Sequence, residues 1–120
     1  PCRRSFRSGP IGKTQGIACP LAEARIKLGA ADLLTKKAAW LLDNDKPCGA
    51  EANMAKWLAA EAGFFAADAA IQTHGGYGYA REYHVERYWR EARLMKLAPI
   101  SQEMILNFVS EHVLELPRSY

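Results

Sequence analysis

Gly75-Gly76-Tyr77-Gly78-Tyr79 is the stretch of this 120-residue sequence best suited to meet a ligand, because three glycines fall within four positions. Backbone without a Cβ can approach another molecule closely, and the amides at the start of a following helix suit an anion. The plainer use of the same residues is a tight turn between two helices. A nucleotide phosphate loop is excluded, since neither its spacing nor its preceding strand is present.

Other residue types offer less. Arg81, Arg87, Arg90 and Arg93 are candidates for phosphate, but Glu82, Glu86 and Glu91 interleave with them and describe a salt-bridged helix surface. His74, His84 and His112 are scattered. None follows a glutamate by three residues, as a di-iron bundle requires, and no HExxH zinc motif occurs, so no metal is expected. Cys2, Cys19 and Cys48 are odd in number and lack metal-type spacing, which argues against a disulfide framework and for an intracellular, reducing compartment; the expected location is cytoplasmic in a bacterium, or the mitochondrial matrix in a eukaryote. A net charge of +3 is too mild to suggest nucleic acid, though acidic ligands stay open. No run approaches the roughly 20 apolar residues of a membrane span, and no signal-peptide layout is seen. The sequence starts at Pro1, and a longer protein is expected around it.

The elements that must position these residues read as helices. Residues 1–14 are basic and rich in glycine and proline, and are expected to form a loop. Residues 15–120 are expected to form one helical domain. From Gln15 or Pro20 to Asn44, Leu21, Ala24, Leu28, Ala31, Ala38 and Leu42 share one face. A second helix is expected over Gly49–Thr73, with Trp57, Ala60, Phe64, Ala67 and Ile71 as its stripe. The glycine cluster breaks it. A third is expected over His84–Leu97, and a fourth over Ile100–Leu116, separated by Pro99 and closed by Pro117. Four amphipathic helices with short connections predict an all-α, antiparallel up-down four-helix bundle.

Several segments, in order, resemble the acyl-CoA dehydrogenase family. Pro10-Ile11-Gly12-Lys13-Thr14-Gln15-Gly16-Ile17 is similar to "PIGxNQGI". Gln72-Thr73-His74-Gly75-Gly76-Tyr77-Gly78-Tyr79, then Glu82-Tyr83-His84-Val85-Glu86-Arg87, resembles "QxxGGxGYxxEYPVER". Arg90-Glu91-Ala92-Arg93 is similar to "RDAR". The resemblance implies the C-terminal domain of an enzyme of fatty acid metabolism that oxidises an acyl-CoA to its α,β-enoyl thioester. A carboxylate would take the α-proton, the β-hydride would pass to FAD, and an electron-transfer flavoprotein would collect the electrons. A homo-oligomer, dimer or tetramer, is implied, with this domain at its core.

Carried over by motif, Arg4 and Gln15 fall at positions that contact a neighbouring subunit's FAD. Gln72, Thr73, His74, Gly75 and Gly76 match the backbone that cradles the diphosphate part of that FAD. Ser101-Gln102-Glu103 resembles "TSE", which touches the FAD of the same subunit, so Ser101 and Glu103 are cofactor candidates. Ala98 and Ile100 would flank the acyl thioester. There are two departures from the family pattern. Arg7-Ser8 stands where Phe-Gly is usual, and Pro99 stands where many members carry the catalytic glutamate in "YEGTSE". Proline cannot abstract a proton. Glu103, a helical turn later, is a substitute candidate, but the isovaleryl-CoA and long-chain branches carry their base on an earlier helix. The base is accordingly expected upstream of Pro1, and the chain alone is expected to be inactive. The alternatives are an acyl-CoA oxidase or a catalytically inactive FAD-binding or assembly homologue.

Overall fold

The computed structural model describes residues 5–6 and 9–118. A two-residue antiparallel pair joins β1 (Ser5–Phe6) to β2 (Gly9–Pro10), and a 3-10 turn covers Ile11–Lys13. Four helices follow: α1 (Gln15–Asp43), α2 (Gly49–His74), α3 (Val85–Leu94) and α4 (Gln102–His112). The all-α bundle expected from the periodicity is the observed architecture.

Alanines draw the two long helices together. Ala24, Ala31 and Ala38 are the buried residues of α1, and Ala55, Ala62 and Ala69 are buried on α2 with the same seven-residue spacing. That spacing keeps each row on one helix face. Lys37 pairs with Glu51 at 3.0 Å, and Lys27 lies 4.0 Å from the Phe65 ring centroid, so the helices run antiparallel. Side chains this small let two backbones approach closely. The consequence is a stripe different from the expected one. Leu28 and Leu42, read as core from their spacing, are exposed at the rim of the alanine seam.

The turn after α1 is fixed locally. Asn44 Nδ2 donates to the Trp40 carbonyl at 2.7 Å, and Asp45 takes φ 53°, which stops the helix before α2 begins.

α2 is the axis of the molecule, since α1, α3 and α4 all pack against it. Trp89 of α3 stacks on Phe64 with ring centroids 5.6 Å apart, and its indole N–H donates to Asp68 Oδ1 at 2.9 Å. Ile105 anchors α4 and is 1% exposed. α3 ends at Leu94, three residues earlier than expected, because residues 95–97 form turns ahead of a cis Ala98-Pro99 bond. α4 begins at Gln102, where Ser101 caps it by accepting from the Met104 amide at 3.4 Å.

Among the described residues, one face of α1 is left exposed. Ile26 is 72% exposed, Leu33 70% and Trp40 54%, again seven residues apart and two positions from the buried alanines. Two positions are about 200° on a helix, so this row faces away from α2.

Candidate functional site

The glycine cluster forms the end of α2. Gly75 closes the helix with φ 62° and ψ −143°, a conformation costly for any residue with a Cβ, and its amide donates to the Gln72 carbonyl. A 3-10 turn runs through Gly75–Tyr79, and a second covers Arg81–Tyr83. α3 starts only at Val85, so the backbone at the glycines belongs to the 3-10 turn and not to a helix N-terminus. The chain bends sharply here because Gly78 is buried against Ile71. A Cβ on Gly78 would lie 2.7 Å from the Ile71 carbonyl oxygen.

Gly76 is different. It is exposed, and a Cβ there would meet nothing within 4 Å. Gln72, Thr73, His74, Gly75, Gly76 and Tyr77 line an open hollow of about 450 Å³. Two polar side chains in the last helical turn are tied to their own helix. Thr73 Oγ1 donates to the Ala69 carbonyl at 2.7 Å, and His74 Nδ1 lies 2.8 Å from the Ala70 carbonyl. His74 and Tyr77 both stack near Tyr83, at centroid distances of 6.3 and 5.3 Å. The rim of the hollow is thus stiffened by local bonds while its backbone stays open. A glycine edge of this kind admits close approach to its backbone without displacing a side chain.

A second hollow, of about 350 Å³, connects this corner to the start of α1. Gly16, Ile17 and Pro20 line it from α1, and Gln72 and Thr73 from α2. Gln15 is exposed and adjoins Gly16 at the first turn of α1. Gln15 and the segment Gln72–Gly76 are therefore brought to one end of the bundle. Arg4 lies outside the described residues.

The remaining candidates gather elsewhere. Gln102 donates from Nε2 to the Trp57 carbonyl at 3.3 Å, which docks the start of α4 about 15 residues, or roughly 22 Å, along α2 from Gln72. Ser101 and Glu103 flank that contact, and Ala98 and Ile100 precede it. One chain thus presents two separate clusters. Glu103 is exposed, and its own backbone N–H and then the Ser101 hydroxyl hold its carboxyl below the ordinary carboxylate value. A general base works best when its pKa is raised toward the working pH, so this environment suits a helix-cap acid better than a proton acceptor.

The segment carrying the second cluster is fastened by residues the sequence reading passed over. Lys56 Nζ donates to the Met95 carbonyl at 2.9 Å and to the Ile100 carbonyl at 2.6 Å. Lys96 pairs with Glu61 at 2.6 Å. Lys96 first, and the Gln102 side chain after it, keep the Glu61 carboxyl low in pKa. A signal for both existed. Neither Lys56 nor Glu61 has an opposite charge three or four residues away on its own helix, so each had to find a partner elsewhere.

Among the described residues, no group of three or more His, Cys, Asp or Glu side chains is placed to hold a metal, and no helix is long and apolar enough to cross a membrane. Cys19 and Cys48 are free thiols.

The described residues thus form an antiparallel helical bundle with an open glycine corner at one end and a pinned segment ahead of α4 farther along α2. Residues 2–114 match the family "Acyl-CoA dehydrogenase, C-terminal domain". The chain belongs to the acyl-CoA dehydrogenase family. It is 50% identical over 119 residues to acyl-CoA dehydrogenase FadE12 of Mycobacterium tuberculosis, a match covering 98% of this chain and 31% of that protein. Its fold is similar to butyryl-CoA dehydrogenase from Megasphaera elsdenii, with a TM-score of 0.89, 31% identity, and coverage of 94% of this chain and 30% of that one. It is also similar to the prolyl acyl carrier protein oxidase AnaB, with a TM-score of 0.88, 30% identity, and coverage of 93% and 30%. The chain spans about three tenths of the length of these relatives.

Proposed function

We propose that this chain is the C-terminal helical domain of a FAD-dependent enzyme that dehydrogenates an acyl-CoA between its α and β carbons. The observation that carries the reading is the open corner at Gly76, built from the residues that match the family's dinucleotide cradle. FAD, when bound, would supply the acceptor for one hydride, and so for the two electrons that it carries. This chain's part is to hold and orient it. Gln15 and the backbone of Gln72–Gly76 would receive the diphosphate end of an FAD from a partner subunit, with Arg4 reaching the same cofactor. Ser101 and Glu103 would touch the FAD of the same subunit, and Ala98 and Ile100 would border the acyl thioester. Two clusters some 22 Å apart along α2 suit contacts to two different flavins.

The base is assigned to a part of the enzyme outside this chain, since Pro99 has no proton acceptor and the Glu103 carboxyl, lowered in pKa by its own backbone N–H and then by the Ser101 hydroxyl, is a weakened base. The uncovered row of Ile26, Leu33 and Trp40 supports a domain that is covered in the assembled protein, as an oligomer core would be. Electron-transfer flavoprotein is the acceptor that family membership suggests.

The test is anaerobic titration of the full-length protein with acyl-CoA thioesters. Bleaching of a bound flavin with formation of the enoyl thioester is expected, and a protein that holds no flavin would overturn the reading. An oxidase is the second reading, favoured by the similarity to AnaB. Stoichiometric hydrogen peroxide in air would select it. Bound flavin that no acyl-CoA bleaches would select an inactive assembly homologue.

A further inference from the structure

Lys56 is a cation in the middle of an alanine-rich helix, with Ala52, Asn53, Ala59 and Ala60 at the positions where a helical partner would stand. Its ammonium is spent instead on two main-chain carbonyls five residues apart, those of Met95 and Ile100. Between them lie the turns after α3 and the Ala98-Pro99 bond. The amides of residues 95–98 bond back to carbonyls of Glu91, Arg93 and Leu94, and Pro99 has no amide with which to extend that pattern toward α4. A charged donor to a carbonyl makes a short, strong hydrogen bond, and one ammonium can serve several acceptors in a fan. Lys56 thus closes the segment into a loop of defined width.

Two neighbours reinforce it from the same stretch of α2. Glu61 holds Lys96 at 2.6 Å, and the carbonyl of Trp57 accepts from the buried Gln102. Lys96 also lies 5.3 Å from the Phe64 ring centroid. The segment 95–102 is therefore fastened to α2 by three contacts, of which the one from Lys56 bridges two of the segment's own carbonyls.

We propose that Lys56 is a positioning residue, whose ammonium sets the shape of the Met95–Ile100 loop and so the placement of Ala98, Ile100 and Ser101 against flavin and acyl thioester. The role rests on the functional reading given above. Lys56 itself touches neither cofactor nor substrate. It acts through the two carbonyls.

The experiment compares full-length wild type with Lys56→Met, which keeps an unbranched stem of nearly the same length and removes the donors, and Lys56→Arg, which keeps donors in a different geometry. Melting temperature, FAD affinity, kcat and KM for an acyl-CoA, and hydrogen exchange at the Ile100 and Ser101 amides are read for each. For Lys56→Met, kcat/KM is expected to fall by about tenfold to a hundredfold at little change in melting temperature, with faster exchange at those two amides, because a misplacement of an ångström costs up to about a hundredfold. Lys56→Arg is expected to lose only severalfold. Unchanged kcat, KM and FAD affinity in Lys56→Met overturn the proposal, as does a loss of activity that merely tracks the unfolded fraction. Should Lys56→Met fail to fold, Lys56→Arg decides: altered kcat or KM at wild-type melting temperature supports the role, and wild-type constants overturn it. A wild-type protein without flavin and without acyl-CoA oxidation overturns the functional reading, and this role with it. Normal wild-type turnover beside an indifferent Lys56→Met overturns only the role.

Discussion

Gly78 is pressed against Ile71, so that a methyl group on Gly78 would come within 2.7 Å of the Ile71 carbonyl oxygen and 3.0 Å of its Cα. Two residues earlier, Gly76 has open space where its Cβ would be. These two glycines of one motif therefore serve different ends. Gly78 lets the chain fold back on α2, and Gly76 leaves the corner accessible. Gly78→Ala in the full-length protein should lower stability by about 1–3 kcal/mol, since the obstacle is backbone and cannot swing aside. Gly76→Ala should stay within about 0.5 kcal/mol of wild type. Thermal or urea unfolding of the two variants checks this, and equal losses would contradict it.

The alanine seam makes a second prediction. Ala62 is 0% exposed, midway along α2 and at the centre of its buried row. Ala62→Leu should destabilise by about 1–3 kcal/mol through overpacking, because α1 cannot retreat without opening the contacts on either side. Ala59→Leu, on the exposed side of the same helix, should cost little. Denaturant melts of the two variants measure the difference, and a stabilised Ala62→Leu would contradict the packing described.

Acid should loosen the domain. Lys37 holds Glu51 below the ordinary carboxylate value, Lys96 does so for Glu61, and Arg90 for Glu86. A carboxyl whose folded pKa lies below its unfolded value contributes stability above the unfolded pKa, about 4.3, and loses it as pH falls through the folded one. Melting temperature should therefore be flat through the neutral range and decline below about pH 4.3. Glu61→Gln should reduce that decline. Circular dichroism melts from neutral to acid pH check both statements, and a melting temperature that rises on acidification would contradict them.

Much of this was legible before any coordinates. Helix existence and order follow from periodicity and from the breaks at Asp45, at the glycines and at Pro99, and these hold in the fold. Which apolar residues are buried was less legible. Spacing ranked Leu28 and Leu42 with Ala24 and Ala31, but close approach of two alanine rows leaves the larger leucines outside. A single periodic stripe suits a helix with one partner, whereas α2 has three and, among the described residues, α1 keeps an exposed apolar row opposite its buried one. The glycine corner was recognisable because its residues are contiguous. The clamp on the cap segment was not, because Lys56 and Ile100 meet only after α2, α3 and α4 have packed.

The central claim is that the corner at Gly76 receives the diphosphate part of an FAD held by a partner chain. The most direct measurement is the FAD dissociation constant of full-length apoprotein carrying Gly76→Val, where the added side chain enters space that is open in this fold. The account predicts affinity weakened at least about tenfold, by excluding a phosphate from the backbone, with the apoprotein's melting temperature unchanged. Wild-type FAD affinity in that variant would contradict it.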